Sequence, residues 1–398
     1  MTLAILMGVY VLMNAYILLR TGLFVRRNLP GRRGRLAAGF IVLACGLLAA
    51  ALPVAFVLRE GAVHRVLLTV GNAMEGYVLL LLSAYLVLEA LCLLARLVPA
   101  GRRLVRAHGP RKLALGAALW ALCLCVCVYG TVHSSQLTVR RYDVTVNKAC
   151  EGWDSLRVAL VADLHLGNTI GAKRVENMVR VINEQHADLV LIAGDVFDNS
   201  VDAMDDPAAV KAALRSIESR LGVYGCWGNH DVYARLFSGF STDALSASVR
   251  VPEMDAFLED CGVTMLADEA VLVDGAFWLV GRRDYANDGA GGRSREPLET
   301  LLAPLDMDRP VLVMDHQPRF LQENADAGVD VLFSGHTHGG QTFPVSLVMN
   351  LEWEQPSGML VKGNMTSLVT SGVGIYGPDM RVGTDADVTV ADIVFKTN

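Results

Sequence analysis

Aspartate, asparagine and histidine side chains are concentrated in a few short, glycine-containing segments of this 398-residue chain. The densest is 335–340 (Gly-His-Thr-His-Gly-Gly), and the others are 163–165 (Asp-Leu-His), 194–195 (Gly-Asp) and 228–231 (Gly-Asn-His-Asp). Carboxylate, amide and imidazole ligands without cysteine suit Mn²⁺, Fe or Zn²⁺ better than a structural zinc site built on thiolates. These residue types therefore predict a two-metal hydrolase.

Short apolar runs precede these segments and must position their side chains. The runs cover residues 156–161, 189–193, 223–227, 311–314 and 329–333. Their length and composition are typical of buried strands. Because open α/β sheets place their chemistry at strand ends, we expect the candidate ligands to converge there.

Helical periodicity appears between the predicted strands. Apolar residues recur at helical spacing at 175, 178, 179 and 182, and again at 210, 214, 217 and 221. From 263 to 280 the pattern becomes strand-like and is broken at Asp274-Gly275, a hairpin signal. Strands alternating with helices predict an α/β fold, a layered sandwich of two stacked mixed sheets flanked by helices.

The first third of the chain is far more apolar than the rest. Stretches near 3–23, 36–58, 66–94 and 113–132 are each long enough to cross the roughly 30 Å hydrocarbon core of a membrane. The first has no basic n-region and is followed by three more, which argues against a cleaved signal peptide. We expect residues 1–136 to form an all-α, four-helix transmembrane region and residues 137–398 to form the catalytic domain.

Basic residues predict the orientation of these spans. Five arginines lie within 26–35, and four arginines and a lysine lie within 102–112. The intervening turn has only Arg59 and Arg65. By the positive-inside rule, the two basic loops are cytoplasmic, and both termini and the catalytic domain are extracytoplasmic. We expect an integral protein of a bacterial cytoplasmic membrane.

Charge divides the chain at the same place. Residues 1–136 carry 14 Lys and Arg against three acidic residues, whereas the remainder carries 21 against 38. We expect no nucleic-acid partner for so acidic a domain, because phosphate contacts come mainly from Lys and Arg. Acidity of this kind is also typical of surfaces that simply keep a protein soluble.

Two acids and three cysteines leave alternatives open. Glu75 and Glu89 lie in the third span, where an ionisable group is a functional candidate, although placement at the interface is the favoured interpretation. Cys150, Cys226 and Cys261 lie beyond the spans, and a single disulfide among them is conceivable.

Five motifs in a fixed order carry a resemblance to a known family. They occupy 163–165, 194–195, 228–231, 314–318 (Met-Asp-His-Gln-Pro) and 335–338. In this order they resemble the calcineurin-like metallophosphoesterase superfamily, from about residue 156 to the C-terminus. Asp-His-Gln-Pro and the Gly-Gly-Gln that follows the last histidine resemble its membrane-associated bacterial phosphodiesterase branch.

The resemblance implies two divalent ions, with Mn²⁺ favoured and Fe, Zn²⁺ or Co²⁺ possible, and it implies their ligands. One ion is held by Asp163, His165 and His338, the other by Asn229, His316 and His336, and Asp195 bridges them. It further implies that His230 stabilises the transition state or protonates the leaving alkoxide. Asp231 is expected to orient His230 through a hydrogen bond.

Residues outside the ligand set are expected to shape substrate binding. Arg282, Arg283 and Arg381 are candidates for phosphate contacts, because guanidinium groups pair bidentately with phosphoryl oxygens. Asp198 fits the family pattern after Gly-Asp, whereas Asp387 stands where a glutamate is expected. Residues 233–250 and 285–295 are interpreted as mobile rim loops.

The predicted function is hydrolysis of a phosphodiester or related phosphate ester by hydroxide held at the two metals. Anchoring in the membrane favours a lipid or cell-envelope substrate. A phosphomonoesterase and a nucleotide-sugar or lipid pyrophosphatase are alternatives with the same site. A noncatalytic metal-binding membrane sensor is the alternative from another class, and the oligomeric state is left open.

Overall fold

A computed structural model of the protein describes residues 2–58, 61–198, 200–233, 235–242, 252–287 and 294–396. The chain divides into two units. The first, called the helical unit below, contains Met1–Val132, Leu236–Thr242 and Gly377–Met380. The second, called the α/β unit, contains the remaining residues from His133 onward. The boundary between domains at 136/137 stays a prediction.

The helical unit is built from six helices. They are α1 (Thr2–Asn28), α2 (Gly31–Ala49), α3 (Ala51–Val57), α4 (Ala62–Ala95), α5 (Pro99–Arg106) and α6 (Pro110–His133). Four apolar segments are long enough to cross a membrane, namely Leu3–Asn28, Gly31–Val57, Ala62–Ala95 and Pro110–His133. The four predicted long apolar helices are confirmed. The second consists of α2 and α3 because Pro53 has no N–H to continue the helical ladder.

A short hairpin also belongs to the helical unit. Its strands are β5 (Leu236–Phe237) and β6 (Phe240–Ser241). Phe237 is buried with its ring edge-on to Tyr10 and Phe56, at centroid distances of 5.5 and 5.6 Å. This hairpin lies within the predicted rim loop 233–250, whose remaining residues from 243 onward lie outside the described part of the chain.

Both membrane acids have partners within the helical unit. Glu75 is buried and accepts a hydrogen bond from the hydroxyl of Ser238. Glu89 forms an ion pair with Arg20. Arg59 falls outside the described residues.

The α/β unit contains two six-stranded mixed sheets. In the first, the order is β1 (Leu137–Val146), β14 (Ala386–Phe395), β2 (Ser155–Val161), β3 (Leu189–Ala193), β4 (Val223–Cys226) and β7 (Val263–Met265). In the second, it is β12 (Gly358–Lys362), β13 (Met365–Val369), β11 (Val331–Ser334), β10 (Val311–Met314), β9 (Phe277–Gly281) and β8 (Glu269–Val273). The strands β2, β3 and β4 are parallel, as are β10 and β11.

Buried aliphatic and aromatic side chains from both sheets form the core between them, and helices cover the outer faces. The remaining helices are α7 (Ala172–Asn183), α8 (Pro207–Arg215), α9 (Pro252–Asp260), α10 (Leu298–Leu302), α11 (Leu321–Asp326) and α12 (Met349–Glu352). The predicted layered α/β fold is confirmed. Cys150, Cys226 and Cys261 are buried and free.

Local predictions succeed in α7 and in the β8–β9 hairpin and fail at the end of α8. Asp274 and Gly275 both have positive φ, as a tight hairpin turn requires. The predicted continuation of α8 to residue 221 is wrong, because the helix ends at Arg215. The following turn is held by Asn183, whose amide donates to the Ser216 carbonyl and whose side-chain oxygen accepts from the Glu218 N–H.

Candidate metal centre

The candidate ligands lie in five loops at the carboxyl ends of parallel strands. β2, β3 and β4 of the first sheet and β10 and β11 of the second lead into them. Five of the candidate side chains stand on residues with positive φ, a conformation that costs energy for any residue but glycine. They are Asp163, His165, Asp195, His336 and His338. Strained backbone in this concentration is typical of a functional site.

Two glycines let these loops approach one another closely. A Cβ atom on Gly194 would lie 2.6 Å from His316 Nδ1, and one on Gly335 would lie 2.6 Å from Asp163 Oδ2. Because real Cβ contacts are never this short, any larger residue would displace a candidate ligand. The glycines of the motifs are therefore explained by crowding around the side chains that they accompany.

Asp163, His165 and His338 form the first of two ligand clusters. His165 Nε2 lies 3.1 Å from His338 Nε2, and His338 Nε2 lies 3.6 Å from Asp163 Oδ1. All three side chains are buried, with at most 2% exposed. Their ligand atoms are close enough to hold one metal ion.

Asn229, His316 and His336 form the second cluster. His316 Nε2 lies 3.2 Å from both Asn229 Oδ1 and His336 Nδ1. His316 Nδ1 lies 2.8 Å from the carbonyl oxygen of Ala193. Because a carbonyl only accepts, Nδ1 carries the donated proton, and Nε2 faces the cluster as a possible ligand.

Asp195 lies between the two clusters. Its Oδ2 is 3.1 Å from His316 Nε2 in the second cluster and 3.9 Å from His165 Nε2 in the first. Among the described residues, no lysine or arginine forms an ion pair with Asp195 or with Asp163. Two buried carboxylates without a permanent cation are what a site for divalent ions requires.

Burial and neighbouring charges set the protonation of these groups. Burial raises the pKa of Asp163 to about 6. Burial would also raise the pKa of Asp195, but the charges of His316 and His230 outweigh it and hold this pKa well below its usual value. Burial lowers the pKa of His336 to about 3 and that of His338 well below its usual value. His336 and His338 are therefore neutral, the state in which an imidazole can bind a divalent cation.

The loop after β4 places His230 beside Asp195. The backbone N–H of His230 donates to Asp195 Oδ1 at 2.7 Å, and its ring packs edge-on to His165 with centroids 5.1 Å apart. Burial lowers the pKa of His230. The residue as a whole keeps part of its surface exposed, so it is placed to meet a ligand approaching the two clusters.

Asp231 has a different position from the one predicted. Its carboxylate accepts from the backbone N–H groups of Phe197 and Gly228, at 2.9 and 2.7 Å. Within the described residues it forms no hydrogen bond with the His230 ring, so the prediction that it orients this ring directly is wrong. Asp231 instead ties the loop after β4 to the loop after β3.

The three arginines predicted to contact phosphate are engaged inside the fold. Arg381 is fully buried and donates to the carbonyls of Ser371 and Gly374, both at 2.7 Å. Arg282 donates to the carbonyl of Glu296, and Arg283 pairs with Asp268. The predicted phosphate contacts are not supported by this geometry. Arg381 acts behind the first cluster, where its Nη2 lies 3.2 Å from His338 Nδ1.

Two further aspartates support the loops. Asp198 Oδ1 lies 3.5 Å from His165 Nδ1, on the side of the imidazole away from His338. Asp387 is buried, accepts from the N–H of Ser371 at 3.1 Å and pairs with Arg140. Asp387 therefore fixes the backbone at Ser371 and forms no contact with the candidate ligands within the described residues.

An α/β sandwich with buried His and Asp clusters at its strand ends defines a metal-dependent hydrolase class. Residues 156–340 match the model of the calcineurin-like phosphoesterase family. Residues 156–340 thus form a calcineurin-like metallophosphoesterase domain, as predicted. Such proteins typically use a dinuclear metal centre, and the clusters of this chain could bind metal.

Two relatives each align with more than two thirds of this chain. A Bos taurus transmembrane protein with metallophosphoesterase domain is 29% identical over 73% of this chain and 65% of its own length. An uncharacterized metallophosphoesterase of Aquifex aeolicus is 29% identical over 68% of this chain and 97% of its own. The chain thus spans slightly less than two thirds of the bovine relative. Together with the four apolar helices, the transmembrane relatives support a membrane protein.

Among solved structures, a 5′-nucleotidase precursor from Thermus thermophilus aligns with 60% of this chain and 54% of its own. The identity is 13% and the TM-score is 0.35. At this TM-score the likeness adds nothing to the assignment.

Proposed function

We propose that the protein is a membrane-anchored dinuclear-metal phosphoesterase that hydrolyses a phosphodiester or a related phosphate ester. The observation that carries this proposal is the position of Asp195, whose carboxylate lies within 3.9 Å of ligand atoms in both clusters. A carboxylate has two oxygens and can hold two cations about 3.5–4 Å apart. A single structural ion would not need a second cluster.

Each ion would be held by one cluster. We assign Asp163, His165 and His338 to the first ion, Asn229, His316 and His336 to the second, and Asp195 to both. When bound, two divalent ions supply a water of lowered pKa and stabilise charge on phosphoryl oxygens. Mn²⁺ is the favoured metal, and Fe, Zn²⁺ and Co²⁺ suit the same donors.

The chain itself would supply orientation and a hydrogen-bond donor. Asp195 fixes the backbone of His230 through the 2.7 Å hydrogen bond, and His165 packs against its ring. The N–H of the His230 imidazole would donate to a phosphoryl oxygen or to the leaving oxygen as charge develops there. Asp231 would hold the loop in place through its two backbone hydrogen bonds.

The substrate is proposed to be a lipid or cell-envelope diester. Four helices long and apolar enough to cross a membrane support this choice, because anchoring would confine the domain to the vicinity of a membrane. Monoesters and diphosphate links of nucleotide sugars or lipids could use the same clusters. We further propose that the α/β unit and both termini lie outside a bacterial cytoplasmic membrane, since the arginine-rich loops favour the cytoplasm.

The decisive assay for catalysis uses the full-length chain in detergent. With Mn²⁺ it should hydrolyse bis(4-nitrophenyl) phosphate and lose this activity with a chelator, and added Mn²⁺ should restore the activity. A panel of glycerophospholipids, nucleotide sugars and monoesters then ranks substrates by kcat/KM. A protein that binds Mn²⁺ but turns over none of these compounds would favour the noncatalytic sensor.

The proposed orientation has its own assay. Alkaline phosphatase, which matures only outside the cytoplasm, is fused after residue 398 and expressed in bacteria. An active fusion supports the extracytoplasmic assignment. An inactive fusion together with a fluorescent cytoplasmic reporter at the same position would reverse it.

A further inference from the structure

Arg319 is a basic residue near the metal centre that the sequence patterns did not single out. It follows the motif that carries His316, and its Nε donates to Gln317 Oε1 at 2.8 Å. Gln317 is fixed in turn, because its Nε2 donates to both oxygens of Asp284, at 3.1 and 3.0 Å. Since a carboxylate only accepts, the amide must present its oxygen to Arg319.

Aromatic rings hold the guanidinium of Arg319 in place. Its Cζ lies 4.3 Å from the centre of the Trp353 ring and 5.5 Å from that of the Tyr285 ring. Trp353 also packs against His336, with ring centroids 5.0 Å apart. One aromatic ring therefore separates Arg319 from a candidate ligand of the second cluster.

The terminal nitrogens of Arg319 have no hydrogen-bond partner among the described residues. Within the described residues, Gln317 is the sole hydrogen-bond acceptor of this guanidinium, and no carboxylate lies within ion-pair distance of it. Arg319 is half-buried, so these nitrogens remain accessible. A fixed guanidinium with a free edge is suited to bidentate binding of phosphate or carboxylate.

Arg295 provides an internal contrast. It is also held near the end of β10, but its guanidinium forms an ion pair with Asp315, and its Nη1 also donates to the Arg283 carbonyl at 2.6 Å. The guanidinium of Arg295 is therefore fully engaged, whereas that of Arg319 donates only through Nε within the described residues. The residue after it, Phe320, has a positive φ of 55°, so the backbone is strained where Arg319 is displayed.

We propose that Arg319 forms a second anion-binding subsite beside the metal centre. It would bind a phosphate or carboxylate located a few bonds from the scissile phosphorus, so the substrate class would be phosphate esters with a second anionic group. This inference rests on the proposed function for the position of the scissile group. The subsite itself depends on the residues around Arg319.

The test uses two inhibitors of bis(4-nitrophenyl) phosphate hydrolysis by the Mn²⁺-loaded full chain, at equal free Mn²⁺. Butane-1,4-diyl bisphosphate carries two phosphates, and butyl phosphate carries one. The wild-type protein should bind the bisphosphate about tenfold more tightly. Arg319→Gln should abolish that preference while inhibition by butyl phosphate stays within about twofold. Arg319→Lys should retain only part of the preference for the bisphosphate, because a lysine ammonium cannot donate the two parallel hydrogen bonds of a guanidinium.

A matched control is Arg309→Gln, which removes a partly exposed arginine at the opposite end of β10. It should keep the full preference. Equal affinity of the wild-type protein for both inhibitors, or an unchanged preference in Arg319→Gln, would overturn the subsite.

Titration calorimetry with the bisphosphate separates this inference from the proposed function. If the wild-type protein hydrolyses no ester, catalysis fails as a proposal, and the subsite stands only if Arg319→Gln still weakens bisphosphate binding. If hydrolysis occurs but calorimetry shows no effect of Arg319→Gln, only the subsite fails.

Discussion

The two ligand clusters share the same chemistry but differ in what surrounds them. Asp163, His165 and His338 are all buried, and Arg381 lies directly behind the last of them. In the second cluster Asn229 and His336 are only half-buried. The first cluster could thus hold an ion away from solvent, whereas the second is more exposed and would face an approaching substrate.

The supporting contacts follow the same division. In the first cluster, carboxylate and guanidinium groups lie behind the imidazoles, with Asp198 near His165 and Arg381 near His338. In the second, His316 is held by a backbone carbonyl, while His336 packs against Trp353. Chemistry that needs access to substrate is therefore expected on the side of Asn229, His230 and His336.

The largest loss of activity is expected from removing Asp195, the residue that the two clusters share. Asp195→Ala deletes the carboxylate near both clusters and the acceptor of the His230 N–H. We expect kcat/KM to fall by on the order of 10³-fold or more, since both ions and the donor lose their support. Bound Mn²⁺, measured by elemental analysis, should fall in parallel. Retained activity in a folded Asp195→Ala protein would exclude a shared carboxylate.

His230→Gln tests the more exposed region around the second cluster without removing a proposed metal ligand. We expect kcat to fall by on the order of 10²-fold with the metal content unchanged, because a hydrogen-bond donor to the reacting phosphate is lost. The loss should be greater for phenyl esters than for 4-nitrophenyl esters if His230 assists the leaving oxygen. A loss of metal in His230→Gln would instead make this residue a ligand.

Asp198→Ala tests the residues that lie behind the buried first cluster. It should have the smallest effect of the three substitutions. Its carboxylate lies near His165 Nδ1 and would orient that ring toward an ion. We expect roughly a tenfold loss of metal affinity, in the range typical of residues behind a ligand. Excess Mn²⁺ should restore kcat. If saturating Mn²⁺ does not restore kcat, we would infer that Asp198 contacts the substrate and that the first cluster is accessible to it.

The sequence predicted the ligand-bearing loops because each follows a short apolar strand, and strand ends at one edge converge by topology alone. The sequence could not predict which arginine is available to bind an anion. Arg381 was a candidate for phosphate contact and Arg319 was not, yet Arg381 is buried against carbonyls, whereas Arg319 keeps a free edge among the described residues. That difference depends on contacts with residues distant in sequence, such as Trp353 and Ser371, which no local pattern records.

The direction of individual side chains could not be predicted from the sequence for the same reason. Asp231 is adjacent to His230, and this adjacency suggested a hydrogen bond between them. The chain folds so that the carboxylate reaches the backbone of Phe197 instead. Similarly, the apolar spacing predicted α8 to continue, but Asn183 binds the turn that ends it. Tertiary hydrogen bonds override periodicity in both cases.

The central claim is that one carboxylate joins two metal ions. Electron paramagnetic resonance of the purified, Mn²⁺-loaded chain tests it most directly, because two Mn²⁺ ions bridged by Asp195 are exchange-coupled. We predict two Mn²⁺ per chain with a coupled spectrum that Asp195→Ala abolishes. One Mn²⁺ per chain, or two with only isolated-ion spectra in the wild-type protein, would contradict a dinuclear centre.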